Sequence, residues 1–260
     1  MKKVSFFVTG FIIIQILLAS CQKQLDIEIP TGGGGGVITS KIKTYIEVVY
    51  GIADTLNVVY DAIDRISSIT RVPPGEGKIA FTYNGTTSIS LDLYDGIGNT
   101  NLNIHERYFL NSGQMLDSSF QYNDTKDTSS AKYFYNQANE LTEARYYENN
   151  AAGKAVLKTI EKYTYDATGN RLNNVVRNAA NDIISTTTFT FYDIRNNIIL
   201  TPVNLPFTSK NLPHTEVEVN LLNRETLRLT HEYTFDSQSR VIAEKLNQDG
   251  EIYWKYYSYQ

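Results

Sequence analysis

The chain of 260 residues has one cysteine, Cys21, so no disulfide and no cysteine metal site can form within a single copy. Its three histidines, His105, His214 and His231, stand far apart. They have neither His-x-His nor His-Glu-x-x-His spacing, which argues against zinc. No Gly-x-Ser-x-Gly elbow is there to hold up a nucleophile. Asp124 and Asp127 lack the alternating acids and central glycine of a calcium loop. These absences leave no catalytic residue, no metal and no cofactor to assign. Basic clusters are also missing, and the formal charge is −4. Nucleic acid is therefore excluded as a partner, because its affinity comes from clustered Lys and Arg against phosphate. After the first 20 residues no run is apolar enough to cross a bilayer as a helix, which takes about 20 residues.

What is present begins with a leader. Lys2 and Lys3 precede an apolar run from Phe6 to Leu18, followed by Leu18-Ala19-Ser20-Cys21. Residues 1–20 read as a signal peptide. The ending resembles the lipobox of exported lipoproteins, which implies acylation of Cys21. That expectation puts the chain in the cell envelope, lipid-anchored to the outer membrane, with the bilayer as its partner through Cys21. Acyl chains hold firmly, since each buried methylene contributes about 0.8 kcal/mol. Residues 21–36 end in five glycines, Gly32 to Gly36, and read as a tether. A phosphate loop would need a Lys-Ser/Thr and a preceding strand, both absent here. Residues 37–260 form the single folded domain, expected to be a monomer. With no disulfide, an exported domain must be stable through its core and sheet alone.

That domain repeats one turn. A residue, usually aromatic, is followed by Asp or Asn and two free positions. Then come Gly, Asn, Asp or Ser, a polar residue and an aliphatic one. Copies start at Tyr60, Tyr135, Tyr165, Arg177, Tyr192, Phe235 and Leu246, with looser ones at Tyr83, Tyr94 and Leu110. The Asp or Asn side chain caps the backbone two residues on. The two free positions suit a type I turn, and the fourth must turn left-handed, which Gly, Asn and Asp tolerate. This is the grammar of a hairpin closed by a type I turn and a bulge. The repeated aspartates are thus explained as turn formers. Corner spacings of 11 to 12 residues, as from Asp166 to Asn178, leave strands of about 7 to 8 residues and no room for a long helix.

Alternation supports the same fold. Leu227, Leu229, His231, Tyr233 and Phe235 share one face; Arg228, Thr230, Glu232 and Thr234 share the other. His231 on the apolar face reads as a packed histidine. Thr215, Val217 and Val219 oppose Glu216, Glu218 and Asn220, which suggests valines inside and carboxylates outside. Two stretches break the rhythm: 122–130, and 200–213 with Pro202, Pro206 and Pro213, which reads as a long excursion. The last strand crowds Tyr253, Trp254, Tyr256, Tyr257 and Tyr259 on both faces. Tyr253, Trp254 and Tyr256 are candidate glycan-stacking residues, although aromatic rings on paired strands also pack on one another.

The turn at Tyr165-Asp166-Ala167-Thr168-Gly169-Asn170-Arg171-Leu172 resembles the YD repeats of Rhs-like proteins. Lipobox, glycine tether, YD-like strands and the break at Ser209-Lys210-Asn211-Leu212-Pro213 are together similar to exported lipoproteins of gut-type Gram-negative bacteria, whose domain is described as porin-like. That resemblance implies no activity and supplies no catalytic residue. The fold expected is all-β: a large antiparallel up-and-down meander forming a strongly curved sheet or barrel. The function expected is that of a membrane-tethered structural or ligand-binding module, and the lack of chemistry-bearing motifs argues against an enzyme. A carbohydrate-binding accessory lipoprotein, contacting glycan or an envelope protein, is the alternative. A hydrolase with an unrecognised carboxylate pair is a further one.

Overall fold

A computed structural model describes residues 41–72, 77–95, 101–123, 128–150, 152–196, 198 and 210–260. The leader, Cys21, the glycine run, Asp124, Asp127 and most of the 200–213 excursion lie outside these residues. The described residues form sixteen strands and no helix. They are β1 (Ile42–Val49), β2 (Ile52–Tyr60), β3 (Ile66–Val72), β4 (Lys78–Asn84), β5 (Ser88–Asp95), β6 (Asn101–Leu110), β7 (Leu116–Asn123) and β8 (Thr128–Tyr135). The second half holds β9 (Leu141–Asn149), β10 (Ala155–Tyr165), β11 (Arg171–Asn178), β12 (Ile183–Arg195), β13 (Asn211–Asn220), β14 (Glu225–Phe235), β15 (Val241–Gln248) and β16 (Glu251–Tyr259). Each strand pairs antiparallel with its sequence neighbours, and β1 pairs with β16, so the meander closes into a barrel. Closure leaves no free sheet edge, which is how a chain without disulfides protects its ladders.

The turn grammar is realised in backbone geometry. In the β2–β3 turn the Asp61 carboxylate accepts from the backbone N–H of Ile63 and Arg65, and Asp64 takes φ 67°. The same arrangement recurs at Asn136, Asp166 and Asp236, with Asn139, Gly169 and Ser239 left-handed. A register shift adjoins each of these turns, the bulge that a type I turn needs to re-enter its ladder. Asn111 and Asn150 form the turn fully as well; the first has only a loose sequence match, the second none.

Two expected copies differ. β12 continues through Tyr192-Asp193 for 13 residues, with an irregularity in its ladder there, because its pairing with β13 extends to the Arg195–Asn211 pair. The chain turns instead at Asn196. The Leu246 copy is a two-residue hairpin in which Asp249 and Gly250 are both left-handed, at φ 50° and 99°. Such a type I′ turn matches strand twist directly. Strands also reach into both stretches expected as loops: Tyr122 and Asn123 end β7, Thr128–Ser130 begin β8, and Pro213 lies in β13 at a bulge.

The aliphatic residue that ends the turn motif closes one end of the barrel. Ile66, Leu116, Leu141 and Val241 each follow such a turn, and with Ile42 and Leu212 they are almost wholly buried. Tyrosines at the strand ends of this rim lock it. Tyr60, Tyr83, Tyr135 and Tyr259 donate their hydroxyls to the carbonyls of Ile42, Ile66, Leu116 and Val241, at 2.6–3.0 Å. Ile198, from the segment between β12 and β13, packs with Ile42, Ile66, Leu212 and Val241, while Leu116 and Leu141 belong to a second core cluster. The opposite rim uses similar turns without the plug; there Tyr50, Ile52, Leu222 and Ile252 are exposed.

Gly169 shows how tightly a turn docks at the closed end. Its φ is +85°, and a Cβ built on it would lie 2.7 Å from Lys210 Nζ. The adjacent Asn170 side chain accepts from the Asn211 N–H at 2.9 Å. Gly169→Val is therefore expected to destabilise the protein by about 1–3 kcal/mol, since a β-branched residue resists this backbone region. Ala167→Ser, at an exposed right-handed position of the same turn, should shift the denaturant midpoint hardly at all. Equal shifts for the two would count against this turn geometry.

Candidate functional site

Cross-strand register fixes which side chains share the inner wall. On β14, Leu227, Leu229, His231, Tyr233 and Phe235 face inward, as their alternation suggests. Their partners on β13 are Glu216, opposite Leu229, and Glu218, opposite Leu227. The carboxylates therefore line the interior, while Val217 and Val219 face outward opposite Arg228 and Thr226. This reverses the expectation drawn from β13 alone. Pairing with β14 sets the faces of β13, and β13's own hydrophobic period is overruled.

The inner wall carries two polar clusters. The first spans β13 to β16 and β1. His231, 5 % exposed, donates from Nδ1 to Glu244 at 2.8 Å, and its Nε2 lies 3.4 Å from Glu216 at ion-pair distance without hydrogen-bond geometry. Tyr233 and Tyr257 donate to Glu244 at 3.2 and 2.9 Å. Lys255 stands opposite Glu244 on β16 and opposite Glu47 on β1. Burial works against charge on all of these groups. It is outweighed for His231 by the Glu216 contact and the Glu244 hydrogen bond, which raise it to about 9. It is outweighed for Glu244 by the charge of Lys255 and the His231 bond, which lower it to about 2. Glu216 is likewise lowered, again against burial, by its contact with His231. The cluster is a charge-matched network, and His231 is packed as its face suggests, with its pKa raised by the carboxylates around it.

The second cluster spans β6 to β11 and is not charge-matched. Glu106 faces inward between Leu91 of β5 and Gln121 of β7. Burial pushes it up to about 7, with only the Tyr108 hydroxyl pulling it back. Glu161 is raised by burial too, against the Tyr163 hydroxyl that it accepts and the Arg171 charge. Both carboxyls act on Tyr133 and Tyr146, whose hydroxyls are held far above their usual range, first by burial. Ser119 and Tyr133 hydrogen-bond at 3.2 Å. The Tyr108 hydroxyl and Asn174 Oδ1 are buried without a hydrogen bond. Glu106, Gln121, Tyr146, Glu161, Asn174 and Glu218 face inward yet retain partial exposure. In a closed barrel an inward side chain away from the rims gains exposure only from inside, so accessible space lies beside this cluster. A sixteen-strand barrel is wide enough for such a space.

The sequence candidates fall in other places. Trp254 and Tyr256 face outward on β16, their ring centroids 5.9 Å apart and their planes 11° from parallel, in a stacked arrangement. Tyr253 faces inward at the open rim, where it donates to Glu251 at 2.6 Å and packs edge-on with Tyr50. The three do not form one site, and Cys21 lies outside the described residues. Sequence reasoning does not single out Glu106, Glu161, Glu216 and Glu244 as a group. Their signal is a carboxylate on an otherwise aromatic face, as in Glu161-Lys162-Tyr163-Thr164-Tyr165. Among the described residues no cluster of three or more His, Cys, Asp and Glu has the geometry to hold a metal.

No protein-family model matches the chain, and no curated protein does. Among solved structures, the chain is similar to a porin-like protein from Bacteroides uniformis ATCC 8492. The TM-score is 0.58 at 13 % identity, covering 84 % of this chain and 98 % of that one. A porin-like protein from Bacteroides vulgatus ATCC 8482 gives a TM-score of 0.50 at 12 % identity, covering 85 % and 99 %. At these identities the likeness is one of fold, and the fold is a sixteen-strand antiparallel barrel of the porin-like kind.

Proposed function

We propose that the chain is a lipid-tethered envelope protein, anchored to the outer membrane through Cys21, whose barrel binds a small ligand in its lumen and does not itself cross the membrane. The observation that carries this reading is the chemistry of the two walls. Outward faces bear charges along the strands: Lys162 against Glu143, Lys245 against Glu232, and Arg107, Lys132 and Arg228. β12 and β13 add an outer threonine ladder, with Thr190 and Thr215 hydroxyls 2.6 Å apart. A lipid-facing wall would be an apolar band, and each Lys or Arg at its midplane would cost about 2–4 kcal/mol. The inner wall is the one that mixes aromatic rings with polar groups, as ligand cavities do. A lipobox-like leader supplies the membrane hold that such a wall lacks.

The test has two arms. Residues 37–260, made without leader and Cys21, should be soluble, β-rich and monomeric without detergent. Solubility in detergent alone, with conductance in planar bilayers, would promote a pore instead. In cells, Cys21→Ala should move the exported protein to the soluble fraction. Retention after a salt wash would refute the anchor.

A second reading draws on the outward, near-parallel Trp254–Tyr256 pair, aromatic rings of the kind on which sugars stack. A glycan array should then show binding that Trp254→Ala abolishes, and no binding by the unaltered protein removes this reading.

A further inference from the structure

We propose that Glu106 anchors a small organic cation inside the barrel, a primary or quaternary ammonium bearing a short aliphatic group, with tyrosine rings around it. This rests on the reading that the lumen takes a ligand, and it names that ligand's chemistry.

The contrast between the two lumen clusters carries the argument. Glu244 and Glu216 share His231, and Glu244 also has Lys255 and two tyrosine hydroxyls. Glu106 sits in the same interior with no cation acting on it among the described residues. A buried carboxyl without a partner is costly, and proteins rarely keep one without a use for it. Beside it the Tyr108 hydroxyl, 3 % exposed, is drawn toward Glu106 without good hydrogen-bond geometry, so the one group that acts favourably on the carboxyl does not satisfy it. Glu106 has accessible space beside it, since it is partly exposed inside a closed barrel.

The missing partner is identified by what surrounds the gap. A carboxyl calls for positive charge. The titratable groups facing Glu106 are Tyr108, Tyr133 and Tyr146, with Glu161 beyond them; β5 and β7 present Leu91 and Gln121. None of these is cationic, and an anion would meet only carboxyls. Tyrosine faces attract ammonium ions and do so more strongly when water is excluded. A metal ion would need several oxygen ligands, and no described group supplies three. Leu91, with Leu93 and Ile104 on the same inner wall, gives a short aliphatic group a surface to lie on.

Isothermal titration of the full-length protein in non-ionic detergent tests this. The probes are tetramethylammonium and n-butylammonium chloride, with n-butanol and glucose as neutral controls. Both cations should give saturable one-to-one binding at about pH 8, weakened about thirtyfold at about pH 5.5, because Glu106 must be ionised to pair. The three tyrosines stay neutral throughout that range, so the response belongs to the carboxyls. Glu106→Gln should abolish saturation while Glu161→Gln retains it; the reverse would remove Glu106 as the anchor. Binding of n-butanol as tight as that of n-butylammonium, or affinity independent of pH in the unaltered protein, overturns the cation without requiring any variant to fold. Glucose binding alone overturns the cation and keeps a ligand-binding lumen. No binding by any probe overturns the cation and counts against the lumen reading as well.

Discussion

Glu244→Ala is expected to lower the stability of the barrel by about 3–5 kcal/mol, the range seen when one member of a buried ion pair is removed. Glu244 is 4 % exposed, and Lys255 opposite it is 6 % exposed. The substitution leaves His231 and Lys255 charged in the interior with only Glu216 and Glu47 near them, and it strands the hydroxyls of Tyr233 and Tyr257. The desolvation of stranded donors, about 1–3 kcal/mol each, is part of that loss and not additional to it. The control lies on the same two strands, facing the other way. Glu232 pairs with Lys245 at 3.1 Å on the outer face, where its side chain is 64 % exposed. Glu232→Ala should cost no more than about 1 kcal/mol, as exposed pairs do. Urea unfolding would separate the two through the midpoint at constant slope. Similar losses would mean that the inner and outer faces of β14 and β15 have been assigned wrongly.

The hairpins are legible because their chemistry is local. Asp61, Asn136, Asp166 and Asp236 each cap their own turn within four residues, so a single stretch of sequence contains everything the turn needs. The aliphatic residue after each turn is legible as part of the motif, but its purpose is not. Leu116 and Leu141 become part of a plug only when the barrel brings their turns to the same end as those before Ile66 and Val241. Closure itself is the pairing of Ile42 with Tyr259, which no local pattern announces. The lumen is hidden for a different reason. Glu216 and Glu218 alternate with valines, and alternation alone sends carboxylates to water; only their register against Leu229 and Leu227 turns them inward. The Tyr192-Asp193 copy shows the converse failure. It has the letters of a turn, and the long ladder between β12 and β13 overrides them. Trp254 and Tyr253 stand out by ring density, yet adjacent positions on a strand point to opposite walls.

The pH dependence of stability should also be unusual for an acidic protein, declining from about pH 5 to about pH 9. Glu106 is raised by burial from 4.5 to about 7. Its raised value means that stability is fully present below pH 4.5 and is lost as pH rises through about 7. Glu161 is raised in the same direction. His231 is raised from 6.5 to about 9, against burial, by Glu216 and Glu244. Its contribution is complete below pH 6.5 and is lost as pH rises through about 9. Glu244 works oppositely: lowered to about 2, it stabilises above pH 4.5 and fails only as pH falls toward 2. The turn aspartates Asp61 and Asp236, lowered first by the backbone N–H groups they accept, fail on the same acid side. Stability should therefore be greatest near pH 5. A tenfold difference in a group's acidity between the folded and unfolded chains is worth about 1.4 kcal/mol, so Glu106 alone withdraws up to about 3 kcal/mol by pH 8. Glu106→Gln keeps the shape and removes the ionisation. It should match the unaltered protein near pH 5 and exceed it by up to about 3 kcal/mol at pH 8, with the limb between pH 5 and 7 flattened. Chemical denaturation at a series of pH values would show this directly. A variant no more stable at pH 8, or a profile that climbs from pH 5 to 7, would mean that Glu106 has a cationic partner in the free protein. A stabilised variant would instead show that the chain keeps, at the wall of its lumen, an ionisable group that costs it stability at neutral pH, which is the usual signature of a residue retained for binding.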